Sequence, residues 1–75
     1  MKEMVEFIAR SLVDKPDDVQ VEEISRGDTT VLELQVSRED LGRVIGRQGR
    51  TARAIRNLIA ATERGGGLTI LDILD

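Results

Sequence analysis

The stretch Leu41-Gly42-Arg43-Val44-Ile45-Gly46-Arg47-Gln48-Gly49-Arg50-Thr51-Ala52-Arg53-Ala54-Ile55 holds two glycines, Gly46 and Gly49, where one short amphipathic segment stops and another begins. Lacking Cβ atoms, these two positions let the chain turn sharply and let a ligand lie against bare peptide. The amides that open the following helix carry partial positive charge, which favours an anion at that end. Arg47 and Arg50 add full charges beside them. The stretch predicts two helices joined by a bend built to hold a phosphate backbone.

Reading outward from the bend supplies a scaffold. Ser37 with Asp40 three residues later has the form of a capping box, opening the short helix that carries Leu41, Val44 and Ile45. Beyond the bend, Ala52, Ile55, Leu58, Ile59 and Thr62 mark the apolar face of a helix from Arg50 to about Glu63, closed by Gly65-Gly66-Gly67. A last strand covers Leu68 to Leu74. Its pattern leaves two orientations open, with Thr69, Leu71 and Ile73 inward and Leu68, Ile70 and Leu74 outward, or the reverse. An outward row of three aliphatics would be a partner surface, whereas two-sided burial is the plainer expectation in so small a protein. Upstream, Thr30 to Val36 alternates Leu32, Leu34 and Val36 against Val31, Glu33 and Gln35. With Val19, Val21, Ile24 and Gly27-Asp28 this reads as a β-hairpin. Met1, Met4, Val5, Ile8 and Leu12 fall on one face of an N-terminal helix that Pro16 stops.

The 41–55 stretch resembles the core of a KH domain, with Gly46-Arg47-Gln48-Gly49 as its GxxG loop. Chain length, the N-terminal helix and the Gly-Arg-Gln-Gly-Arg-Thr-Ala wording extend the likeness over nearly the whole chain, to the small bacterial single-KH proteins of the KhpA type. The resemblance implies an α+β type II KH domain of order α-β-β-α-α-β, a three-stranded sheet covered on one face by three helices. It would be a single domain over 1–75, with an N-terminal α-β extension over 1–26 and a β-α-α-β core over 29–75.

Composition narrows the function classes independently. Seventy-five residues leave room for one domain with a small core, a size that suits a binding module better than a self-contained catalyst. The chain has no cysteine and no histidine. That removes disulfides, ordinary zinc sites and any triad that uses either residue, and Ser11, Ser25 and Ser37 have no histidine to activate them. Asp17-Asp18 and Glu22-Glu23 are adjacent pairs, not a spaced calcium loop, and read as solvated charge. No metal, cofactor or enzymatic activity is expected. No apolar run approaches a membrane span and the start is not signal-like, so a cytoplasmic location is expected without membrane contact.

The net charge of −3 would argue against a nucleic-acid partner if it were evenly spread. It is not: residues 41–62 carry Arg43, Arg47, Arg50, Arg53 and Arg56 and no acid, a charge of +5, while the other six bases face fourteen acids, a charge of −8. A basic strip on an acidic body directs a polyanion to one groove. Spacings of three from Arg47 to Arg56 also describe the solvent face of a helix, and that plainer reading weighs most on Arg53 and Arg56.

Two better-known glycine motifs fail. A P-loop needs glycine where Val44 stands and lysine where Arg50 stands, and a dinucleotide fingerprint needs a preceding strand and an additional glycine. A bare helix-to-helix connection reading duplex DNA requires neither two glycines flanking arginine nor a sheet. Phe7 is the lone aromatic, so base stacking has no evident platform. The KH resemblance implies instead that about four nucleotides of single-stranded RNA lie in a narrow groove, sugar-phosphate on the GxxG side and bases toward an apolar floor. Carried over by position, the RNA-binding residues are Gly42, Arg43, Ile45, Gly46, Arg47, Gln48, Gly49, Arg50, Ala52 and Arg53, with Ile70 or Leu71 completing the floor. Ala52 replaces the bulkier aliphatic common in KH cores, and Ile45 and Ile55 also read simply as core. The resemblance further implies an RNA chaperone or post-transcriptional regulator, self-pairing, and a larger KhpB-type KH partner. The alternative is a protein-interaction module that pairs with itself or another KH protein, RNA contact being incidental.

Overall fold

Alternation of Leu32 and Leu34 with Val31, Glu33 and Gln35 sets one strand face as buried, and the chain organises around it. A computed structural model describes residues 1–63 and 67–75. Helix α1 spans Lys2–Leu12, and a 3-10 turn at Pro16–Asp18 leads to β1, Gln20–Arg26, and β2, Thr29–Gln35. A second 3-10 turn, Arg38–Asp40, runs into α2, Leu41–Ile45. A third, Arg47–Gly49, separates α2 from α3, Arg50–Thr62, and β3 covers Leu68–Ile73.

Strands β1 and β2 pair antiparallel from Gln20↔Gln35 to Arg26↔Thr29, which leaves Gly27 and Asp28 as a two-residue loop. Gly27 takes φ 59°, the left-handed conformation that such a loop requires. Strand β3 pairs parallel to β2 on its other side, so the sheet order is β1-β2-β3. A parallel pair needs a crossover of a dozen or more residues. Here α2, the bend and α3 are that crossover, and the bend is thereby held at one end of the sheet.

Leu32, Leu34, Val21 and Leu71 on the sheet meet Val5 and Ala9 of α1, Val44 of α2, and Ile55 and Ile59 of α3 in one apolar core. All three helices therefore lie on one face. The last strand resolves to Leu71 inward, with Leu68 and Ile70 exposed on the bare face. On that face the register lines up Ile24, Val31 and Ile70 in one row and Glu22, Glu33 and Asp72 in the next.

Three local expectations need correction or completion. The Ser37–Asp40 capping box does not form: no side-chain cap bond is made at Ser37. Asp40 is instead 2% exposed and turns inward to accept from the backbone N–H of Asp14 at 3.2 Å and of Lys15 at 3.0 Å. Two amides left unpaired by the loop after α1 draw the carboxylate away from its own turn. Leu58, expected on the apolar face of α3, is 50% exposed. The sheet beneath α3 is narrow enough that Ala52, Ile55 and Ile59 fill the contact. Ala9, absent from the expected face of α1, is fully buried, its small side chain suiting a close approach of helix to sheet. The closing Gly65 and Gly66 lie outside the described residues.

Candidate nucleic-acid interface

The bend is stereochemically demanding. Helix α2 ends where Gly46 N–H donates to Gly42 O at 2.9 Å. Gly46 has φ 77° and ψ 168°, and a Cβ there would stand 2.2 Å from Thr51 Oγ1 and 2.8 Å from Thr51 N. Gly46 is thus backed against the first turn of α3, and glycine is the side chain that fits. Gly49 N–H closes the turn onto Gly46 O at 3.0 Å. Gly49 is left-handed at φ 74°, and so is Gln48 at φ 56°, the only non-glycine residue with positive φ among the described residues. Such a conformation costs a residue with a Cβ about 1–2 kcal/mol, and strain of this kind concentrates at ligand-holding turns.

Arg47, Gln48 and Arg50 are exposed on this turn. The N-terminus of α3 has no side-chain cap bond and no acid in its first turn; Arg50 N–H donates to Arg47 O, and the positive dipole end beyond it favours an external anion. Gly42 is exposed, and a Cβ built there would meet nothing within 4 Å, so the surface above α2 is open to close approach. Ile45 is 39% exposed beside it. Ala52 is buried and shapes the surface from beneath without offering contact area.

The five arginines divide by partner. Arg43 Nη2 lies 3.1 Å from Asp14 Oδ2, and its Nε is 3.8 Å from Asp40 Oδ1. That arginine is therefore part of the joint that Asp40 makes between the end of α1 and the start of α2. Beside the joint, Lys15 and Glu39 form an exposed pair whose hydrogen bond raises the lysine pKa and lowers that of the carboxylate. Arg56 Nη2 donates to Leu71 O at 3.1 Å. Arg47, Arg50 and Arg53 are exposed and have no ion pair or hydrogen bond among the described residues.

The expected apolar floor from β3 is not built from side chains. Ile70 faces the bare side of the sheet and Leu71 points into the core. What β3 turns toward α3 is its backbone edge, where Arg56 meets Leu71 O and the Glu63 carboxylate accepts from Thr69 N–H at 2.7 Å. Sequence reasoning could not place these two contacts, because both partners are main-chain groups of a distant element. A recess between α1 and β1 is lined by Lys2, Glu6, Arg10, Glu22 and Glu23 among others. Its mixed charge gives a polyanion no purchase.

The family model described as KhpA/KhpB, KH domain, matches residues 2–68. The chain is 59% identical to the RNA-binding protein KhpA of Clostridium perfringens over 81% of each chain. It is 49% identical to the RNA-binding protein KhpA of Halalkalibacterium halodurans over the whole of both chains. With the RNA-binding protein KhpA of Aquifex aeolicus the identity is 46% over all of this chain and 96% of the relative. No solved structure matches.

Proposed function

The chain belongs to the KhpA/KhpB family of KH domains, with the type II order α-β-β-α-α-β, and from that premise we propose that it grips single-stranded RNA in the cytoplasm through Gly46-Arg47-Gln48-Gly49. The observation that carries the reading is the placement of three exposed guanidinium groups, Arg47, Arg50 and Arg53, unpaired among the described residues, at and just after a left-handed bend whose following helix has no side-chain cap. Phosphates seat against the bend amides, and the exposed surface of Gly42 and Ile45 lets the sugars and bases lie close to α2. The lone aromatic, Phe7, lies away on α1, so most of the contact is backbone-led. A reversible grip of this kind suits RNA chaperoning or post-transcriptional regulation.

Replacing Arg47 and Gln48 together by aspartate tests it. Both side chains are exposed, so the thermal midpoint should stay nearly unchanged while ultraviolet crosslinking to single-stranded RNA is lost. Equal crosslinking by the double variant refutes the proposal.

A single KH groove contacts few phosphates and binds weakly, so a second module on the same RNA raises affinity through effective concentration. We infer that this module is a second copy or a larger KhpB-type KH protein. Leu58 is 50% and Phe7 72% exposed, and the residues beside them touch where Thr62 Oγ1 lies 3.9 Å from Met4 Sδ. Together these residues give α1 and α3 a shared apolar surface suited to pairing.

A further inference from the structure

Arg56 belongs to the basic strip by sequence and departs from it by geometry. Its guanidinium is not spread toward solvent like those of Arg47, Arg50 and Arg53; it is laid against the outer edge of β3, Nη2 donating to Leu71 O at 3.1 Å. Thr69 and Leu71 are two residues apart, and in a strand the N–H and C=O of alternate residues face the same side. The Thr69 N–H held by Glu63 and the Leu71 C=O held by Arg56 therefore both point away from β2. Among the described residues no acceptor stands at the Leu71 N–H. Leu71 as a whole is only 3% exposed, whereas Arg56 is exposed, so a base arriving at this edge meets the guanidinium and not the strand. Arg56 lies six residues along α3 from Arg50, about 9 Å of helix rise, within the span of a bound tetranucleotide.

We propose that Arg56 selects guanine at one position of the bound RNA. The inference rests on the reading of the bend as an RNA grip. A guanidinium has five N–H donors and no acceptor. With one donor spent on Leu71 O, four remain on an exposed guanidinium that the carbonyl tethers to the strand edge. The base edge that complements two parallel donors is guanine O6 with N7. Adenine and cytosine bring an amino donor to the corresponding place and meet the fork donor to donor. Removing the guanidinium frees Leu71 C=O, beside a Leu71 N–H with no acceptor among the described residues, a donor next to an acceptor, which complements N1 and N6 of adenine. Arg56 thus sets which base this edge accepts, and its loss exchanges guanine for adenine at the same position.

The test is equilibrium selection from a random-sequence single-stranded RNA pool, followed by sequencing of the bound fraction. It is run on the unaltered chain, Arg56→Gln, Arg56→Lys and the Arg47→Asp, Gln48→Asp pair. The unaltered chain should enrich guanine at one position, and Arg56→Gln should lower the guanine-to-adenine ratio there by about tenfold or more. Arg56→Lys keeps the charge without the fork, so it should lose the preference while keeping the salt dependence of binding. Thermal midpoints verify that both variants are folded, and either folded variant suffices for the comparison. The same base preference with and without Arg56 overturns the proposal, as does an unaltered chain that binds RNA with no guanine preference. Undiminished retention of RNA by the Arg47→Asp, Gln48→Asp pair, or no retention by the unaltered chain, overturns the grip itself.

Discussion

At the scale of single residues, Gly46 and Gly49 look alike in the sequence and have different duties in the fold. Both take positive φ, but only Gly46 has a neighbour, Thr51 Oγ1, at 2.2 Å from where a Cβ would stand; the space around Gly49 is open. Gly49→Ala therefore carries conformational strain alone, about 1–2 kcal/mol. Gly46→Ala adds a clash with the first turn of α3 and should destabilise by clearly more. Urea denaturation of the two variants checks the order, and equal midpoints would contradict it. The need for glycine at both positions was legible from spacing, since no other residue turns so sharply without cost. Which one is sterically locked was not, because the obstruction comes from a side chain whose position depends on the helix that follows. The arginines show the same limit. Their charge was countable, but the partners of Arg43 and Arg56 were not, as one lies across the chain at Asp14 and the other is a strand carbonyl.

Elements were legible where periodicity is strong. The alternation through Leu32 and Leu34, the Gly27-Asp28 loop and the stripe of α1 each state their own geometry. Misreadings fell where an element meets a neighbour that the pattern does not contain. Ser37 and Asp40 have capping-box spacing, yet the buried carboxylate serves Asp14 and Lys15 instead. Helical spacing put Leu58 with Ile55 and Ile59, but Leu58 stands half exposed while Ala52, Ile55 and Ile59 take the contact with the sheet. That misplaced leucine yields a prediction about the helix. Leu58→Asp removes an apolar side chain already half in water, so a folded monomer should lose less than about 1 kcal/mol. Light scattering should show the variant smaller than the unaltered chain at the same concentration. Equal sizes would place pairing elsewhere, and a salt-insensitive dimer without RNA uptake would favour protein pairing as the main activity.

For the whole molecule, the distribution of charge matters more than its sum. The bare sheet face carries Glu22, Glu33 and Asp72 in register, while Arg47, Arg50 and Arg53 stand at the bend. A polyanion is repelled from one side and gathered at the other. With three free arginines contacting three phosphates, log affinity should fall with log salt at a slope of about −2. Arg53→Ala should make that slope shallower by about 0.7, and titration of a short RNA at several salt concentrations measures both. An unchanged slope would remove Arg53 from the contact. The asymmetry itself was visible in the sequence as a local excess of base. Its reduction from five arginines to three was visible only once their neighbours were in place.

The bonds that Glu63 and Arg56 make to β3 have a second consequence, for solubility. An open sheet invites foreign strands to zip onto its margins, the first step toward fibrils. Here one margin has two of its main-chain groups already occupied, by Arg56 of α3 and by Glu63 just beyond it, and the other, β1, carries Glu22, Glu23 and Arg26. With its margins occupied or charged, the sheet offers a foreign strand little open backbone, and the chain is kept as discrete particles.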